Sequence, residues 1–281
     1  MIDALRASLG ARLFERVAGP DGPQHRARIH EEPGARWFAD DRPIRIVHAD
    51  SSMFVGGLRA LLLQSLHPLA MAGVAGHSGY RGDPWGRLQR TSYFLAVTTF
   101  GRAEDAEAAI RRIRAIHERV RGTAPDGRPY AASDPHLLKW VHVAEVDSFL
   151  DTHRRYGAVR LTAGQQDGYV ADTARVAREL GVLDPPTTVA ELRAALAAYR
   201  PELRGTSEAR AAARFMLLQP PLPVAARLPY AVLASAAVAS LPVWARWPLR
   251  LPYAPLAEAT VVRAAGTGLV RTLRWISAPA A

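Results

Sequence analysis

Apolar positions recur every third or fourth residue through most of this chain, the spacing of helices with one buried face. Residues 1–19 read as an amphipathic helix closed by the turn GPDGP, and residues 20–48 as charged and irregular. From ADSSMFVGGLRALLLQSLHPLAMAGVAGHS the pattern turns strongly apolar. Asp50, Ser51 or Ser52 can cap its start, and Pro68 is placed to start or kink a helix. GYRGDP breaks this run, and a second run continues through Phe100. Residues 102–121 form the next helix, GTAPDGRPYAASDP a loop, and HLLKWVHVAEVDSFLDTHRRYG resumes helical spacing. GQQDGYVADTARVARELGV and TVAELRAALAAYRPEL follow in kind, and the Pro-rich stretches 219–229 and 242–255 punctuate the end. YFLAVTTF has strand character but no partner strand, so helix is expected there too. The chain reads as one all-α domain over residues 1–281.

The helix at 102–121 poses a chemical question. At 100° per residue, Ala106, Ala109, Ile110, Ile113, Ile116, His117 and Val120 share one stripe, and His117 lies near its middle. Arg111, Arg112, Arg114, Glu118 and Arg119 take the other side. The His117 imidazole therefore points inward, where an unpartnered polar group costs roughly 1–3 kcal/mol. A backbone hydrogen bond satisfies it if it is a core histidine; a metal ion does so if it is a ligand.

In the preceding run, DPWGRLQRTSYFLAVTTFG, Arg87, Arg90 and Thr91 stand at i, i+3 and i+4 on one helical side. Two guanidiniums opening a largely apolar run need either an internal carboxylate or an anionic ligand. Gly101 separates two helices expected to run antiparallel. Arg87 lies 14 residues before Gly101 and His117 lies 16 after it, so at about 1.5 Å per residue they share a height. A flat cofactor between these helices would meet His117 from one side and Arg87, Arg90 and Thr91 from the other.

Other constellations are weaker. His67 and His77 are read as structural, and His142 in LLKWVH is the runner-up metal ligand. GVAGHSG contains neither a nucleophile elbow nor a dinucleotide loop, and no H-E-x-x-H or paired carboxylates mark a zinc or di-iron site.

Composition changes the picture little. There is no cysteine, which excludes disulfides, iron–sulfur clusters and thiol catalysis. The net charge of +10 comes from 36 basic residues, all but Lys139 being arginine scattered over helical faces, so no nucleic-acid partner is inferred. The N-terminus lacks an apolar signal core and a cytoplasmic location is expected. The uncharged stretch LPYAVLASAAVASLPVWA, residues 228–245, is barely long enough to span a bilayer and carries two prolines; a buried or interfacial helix is expected, with at most peripheral membrane association.

Taken in order, GGLRALLLQSLHPLAMAGVAGHS, DPWGRLQRTSYFLAVTTFG, IHERVRG, PYAASDPHLLKWVH and ELGVLDPPTTVAEL resemble the MpaB-type oxygenase family. That family is related to the catalytic domain of rubber oxygenase, the latex-clearing protein. The resemblance covers about residues 40–255, leaving an N-terminal helix and extension (1–39) and a C-terminal helix (256–281). It implies a globin-like helical domain enclosing a non-covalent haem b. It also implies oxidation of an apolar small molecule with O2, by cleavage of a carbon–carbon double bond or by hydroxylation, epoxidation or desaturation. The proximal iron ligand carries over to His117. The arginine and threonine of the R-x-x-K-T motif fall on Arg87 and Thr91, in the distal pocket, and its lysine falls on Arg90. A guanidinium has no free lone pair, so Arg90 cannot ligate iron as the lysine does; a haem propionate or a polarised oxygen species is its expected partner. The alternative is a non-catalytic haem or lipophile carrier.

Overall fold

The computed structural model describes residues 2–77 and 82–278. It is mostly helical, as the periodicity predicts. The first half runs α1 (Ile2–Ala18), α2 (Gly22–His30), α3 (Pro43–Ala49), α4 (Met53–Gln64), α5 (Pro68–His77), α6 (Pro84–Phe100) and α7 (Ala103–His117). A small antiparallel hairpin, β1 (Arg121–Thr123) and β2 (Pro129–Ala131), precedes α8 (Pro135–Tyr156), α9 (Ala163–Leu180) and α10 (Val189–Tyr199). After a 3-10 turn at Arg200–Glu202 come α11 (Ser207–Leu218), α12 (Val224–Ser240), α13 (Val243–Leu249), α14 (Pro255–Ala257), a π turn (Glu258–Val262) and α15 (Arg263–Ser277).

Local chemistry sets the helix starts. The Asp83 carboxylate accepts from the Gly86 amide at 2.8 Å and Pro84 opens α6; Asp134 and Pro135 do the same for α8, with the His136 amide at 2.8 Å. Thr162 and Gln165 cap α9 reciprocally, and Gly181, at φ +107°, ends it in the left-handed region that glycine favours.

The core is organised around α4 and α8. Gly56 permits their close approach, since a Cβ there would lie 2.6 Å from Phe149 Cδ1 and 2.7 Å from Thr152 Oγ1. On one side of α8, Trp140 and Ala144 pack with Leu62 and Leu63 of α4, Leu66 just after it, Ala213, Ala236, Ala237 and Val270. On the other, Val146, Phe149 and Leu150 pack with Ile44, Val47, Tyr169, Val170 and Leu192. The fully buried Trp140 indole donates to the Gln64 carbonyl at 3.1 Å. Arg59, 3% exposed, is satisfied by Asp147 (2.7 Å), Ser148 Oγ (2.6 Å) and the Ser240 carbonyl (3.1 Å).

At the corner between α3 and α4, Asp50 accepts from the Ser52 amide at 2.7 Å and the Ala158 amide at 3.0 Å, and pairs with Arg274 of α15 at 2.9 Å. The Arg6 guanidinium of α1 donates to the Trp275 and Ala278 carbonyls, both at 2.9 Å, which lays α1 along α15.

Several expectations need correction. Residues 20–48 are not irregular throughout: α2 and α3 lie within them, started by Pro23 and Pro43 in their first turns. The helix predicted over 102–121 stops at His117, and the expected loop holds the β1–β2 hairpin. The Ala132 amide donates to the Val120 carbonyl at 2.8 Å, which draws Val120 into the hairpin base instead of another helical turn. The stretch 228–245 is divided between α12 and α13, and the C-terminal helix is interrupted by the π turn. The break at GYRGDP falls partly on residues 79–81, outside the described residues. Among the described residues, no single helix is long and apolar enough to cross a membrane. Two bent pairs, α3 with α4 (94°) and α12 with α13 (118°), have the length and composition only together.

Candidate functional site

α6 and α7 pack side by side, joined by Gly101 and Arg102. So short a connection makes a helical hairpin, which places Arg87 and His117 toward the same, open end. Coverage changes along both helices. Val97, Thr98 and Thr99 of α6 and Ala106 and Ile110 of α7 are buried. Toward the open end Phe94, Ile113 and His117 are half-buried, and Ile116 is 38% exposed. The apolar stripe that predicts an inward His117 is thus only half covered by protein.

At that end of α6, Arg87 is half-buried and Thr91 is exposed, its hydroxyl donating to the Arg87 carbonyl at 3.0 Å. Arg90 is exposed and reaches back to Asp83, the carboxylate that caps its own helix, at 3.2 Å. The carboxylate partner that the sequence leaves open is thereby named for Arg90. His117 is the final residue of α7. Its Nδ1 is buried with no hydrogen-bond partner, and burial lowers its pKa, which keeps the imidazole neutral near pH 7. The hydrogen bond expected to orient a ligand histidine is therefore missing from Nδ1.

The last turn of α9 links this region to α8. Arg114 of α7 donates to the Glu179 carbonyl at 3.2 Å, and the Cβ position of Gly181 lies 3.5 Å from Leu138 of α8. One turn beyond Leu138 stands His142. Its Nε2 is also buried without a partner, and burial, with help from Arg178 and Lys139, pulls its pKa down to about 4. The runner-up ligand thus shares His117's features: a neutral ring with an unpaired buried nitrogen.

Sequence reasoning missed the groups that extend this face inward. Glu145 follows His142 by one turn, and burial pushes its carboxyl up to about 7. Glu145 in turn helps raise the pKa of the fully buried Tyr169 well above its ordinary value, after burial itself. The Tyr169 hydroxyl lies 3.3 Å from His48 Nε2, and His48 Nδ1 lies 2.8 Å from Thr99 Oγ1. Burial alone takes the His48 pKa down to about 3. Glu145, Tyr169, His48 and Thr99 thus form a polar line between α8, α9, α3 and α6 through an otherwise apolar interior. Projecting α8 as a helical wheel would have flagged Glu145 beside His142; nothing local marks Tyr169 or His48.

Two clefts open elsewhere. One, of about 410 Å³, is lined by Trp37, Phe38, Arg42, Asp172 and Arg175. The other, of about 350 Å³, is lined by His136, Lys139, Asp184, Tyr199 and Glu202. Neither is lined by His117, Arg87 or Thr91. Beside the second, His67, His136 and Glu202 bring their ligand atoms within 4.8 Å of one another. His67, read as structural, therefore faces two groups distant in the sequence.

Residues 45–275 match the family described as ER-bound oxygenase mpaB/B'/Rubber oxygenase, catalytic domain. Uncharacterised proteins of Mycobacterium bovis and Mycobacterium tuberculosis are each 32% identical over 111 residues, 38% of this chain. That alignment spans 43% of the length of those relatives. No solved structure matches. The family match takes in α6, α7, α8 and α9, the elements that carry His117, His142, Arg87 and Glu145, and the chain belongs to this family of oxygenase catalytic domains.

Proposed function

We propose that this protein is a haem b-dependent oxygenase that oxidises an apolar small molecule with O2, by cleavage of a carbon–carbon double bond or by oxygen insertion. The observation that carries the reading is His117: a neutral imidazole at the open end of α7, with a buried nitrogen that no protein group satisfies. A neutral ring has the lone pair that iron needs, so the residues present fit the cofactor. When bound, haem would supply the oxygen chemistry, and the protein would supply orientation and a dry pocket.

Each residue has a stated task. His117 would hold the iron through one ring nitrogen, with His142 as its rival for that position. Arg87 would orient substrate or oxygen from the α6 side, and Thr91 would turn its hydroxyl from the Arg87 carbonyl to the same purpose. Arg90 has no lone pair to offer, and its pairing with Asp83 leaves it suited to anchoring a carboxylate at the pocket's rim. Glu145 would hold a proton at its carboxyl near neutral pH, a reservoir on the inner wall. The apolar side chains of Phe94, Ile113 and Ile116 would exclude water from the reacting centre.

Absorbance and oxygen uptake test the proposal together. Protein expressed with iron and haem precursor should show a Soret band, and a polyisoprenoid oligomer should drive oxygen consumption that its saturated analogue does not. Colourless protein that also refuses added hemin would overturn the reading. Haem without substrate-dependent oxygen uptake would make the protein a carrier.

A further inference from the structure

Away from the haem site, three segments converge on one point. His67 lies just ahead of α5, His136 in the first turn of α8, and Glu202 in the 3-10 turn after α10. His67 Nε2 is 3.3 Å from Glu202 Oε2, and His136 Nε2 is 2.9 Å from the same oxygen and 3.0 Å from Oε1. Two imidazoles thus meet one carboxylate edge-on, each through Nε2. Metal–ligand bonds of roughly 2.0–2.2 Å in a tetrahedron put ligand atoms about 3.3–3.5 Å apart. The two imidazole–carboxylate distances are near this, and all three ligand atoms lie within 4.8 Å of one another. His67 is almost wholly buried, whereas Glu202 and His136 border the 350 Å³ cleft.

Outer contacts favour ligation at His136. The Tyr199 hydroxyl donates to the His136 carbonyl at 2.8 Å, and its oxygen lies 3.4 Å from His136 Nδ1. A proton on Nδ1 has an acceptor there, which leaves the Nε2 lone pair for a cation, the arrangement typical of ligand histidines. His67 Nδ1 sits 3.5 Å from the Ala70 amide, at the outer limit of a hydrogen bond, so little is lost when its tautomer changes. Asp184, on the same cleft, is occupied by Lys139 at 2.8 Å.

We propose that His67, His136 and Glu202 form a binding site for a divalent transition-metal ion, with Zn2+ as the reference cation and the fourth position open to water from the cleft. Without the ion both imidazoles donate Nε2–H to the Glu202 carboxylate. Binding takes the Nε2 lone pair of each neutral ring: the proton leaves Nε2 and, exchanged through solvent, returns at Nδ1, so the cation replaces the two hydrogen bonds without net release of protons. An ion held there ties the starts of α5 and α8 to the turn after α10. It would therefore stabilise the fold by mass action.

Chelator-stripped protein titrated with ZnCl2, followed by calorimetry and by thermal unfolding, tests the site. One ion per chain and a rise in Tm at saturating zinc are expected. Glu202→Gln and His136→Ala should each weaken binding at least tenfold and abolish that rise. Both residues border the cleft, so these variants are expected to fold; an unchanged Tm without zinc confirms it. Saturable zinc uptake that persists in both variants, or no uptake by the wild-type protein, would overturn the assignment. Because zinc is read directly, the result does not depend on whether the chain holds haem.

Discussion

Arg114 and Glu179 join two helix ends: the guanidinium donates to the carbonyl across 3.2 Å. The acceptor belongs to the last turn of α9, where helix carbonyls lack partners of their own, so a cation from a neighbouring helix is well placed there. The bond fixes the end of α7 that carries His117 beside the end of α9 whose Arg178 acts on His142. The two helices that carry the unpaired imidazole nitrogens, α7 and α8, therefore both meet the end of α9.

The first prediction separates those two rings. His117→Ala should abolish the Soret band, and added imidazole should restore part of it by occupying the vacated space. His142→Ala should leave the spectrum normal. The opposite pattern, read by absorbance of purified variants, would transfer the iron to His142.

Glu145 predicts an alkaline loss of stability in haem-free protein. Its carboxyl titrates at about 7 when folded, against an ordinary value of 4.5. Between these values the folded chain binds more protons than the unfolded one, so stability falls as pH rises through that window and stays reduced above it. Glu145→Gln should match the wild type near pH 4 and exceed it by up to about 3 kcal/mol at pH 8 in urea unfolding. An equal difference at both pH values would remove Glu145 from its buried role.

The acid side has the opposite sign. His142 and His48 titrate at about 4 and about 3 when folded, against 6.5. Their contribution is complete above pH 6.5 and is lost as pH falls toward the folded values, because the unfolded rings protonate first. His142→Gln should flatten the stability profile between pH 6.5 and 4. A profile as steep as the wild type's would place the acid sensitivity elsewhere.

Adjacent glycines in α4 should respond oppositely to alanine. Gly56→Ala puts a methyl 2.6 Å from Phe149 and should cost about 1–3 kcal/mol by forcing α8 away. Gly57→Ala meets nothing within 4 Å and should gain up to about 1 kcal/mol from helix propensity. Similar midpoints in chemical unfolding would mean that α4 and α8 are not in this register.

Asp147→Ala would leave Arg59 with the Ser148 hydroxyl, the Ser240 carbonyl and, at 3.9 Å, the Asp151 carboxylate. Asp147 is itself partly open to water, so a loss of about 2 kcal/mol is expected, below the full cost of breaking a buried pair. Tm should drop in low and high salt alike, since screening does not reach Arg59.

Local chemistry was legible in the sequence, and distant chemistry was not. The α6 start, with Asp83 and Pro84, and the hairpin turn at Gly101 follow from adjacent residues. α2 escaped because GPQHRARIH has almost no apolar period: only Ile29 among its large side chains is buried. The end of α7 was misplaced because Val120 continues the helical stripe in sequence while the β1–β2 pairing claims its carbonyl. Arg87, Arg90, Thr91 and His117 belong to one hairpin and could be related by counting residues. Glu145, Tyr169 and His48 come from three helices, as His67, His136 and Glu202 come from three segments, so no spacing reveals them.

The ion pair of Asp50 with Arg274 spans 224 positions. Asp50 is synthesised 224 residues before that arginine. The nascent chain must hold the Asp50 carboxylate with the Ser52 and Ala158 amides alone. Arg274 then brings α15, and α1 lying against it, onto a corner that has been waiting with its charge exposed. A polypeptide without α15 would leave this carboxylate short of its guanidinium partner, so the end of the chain and the α3–α4 corner depend on one another.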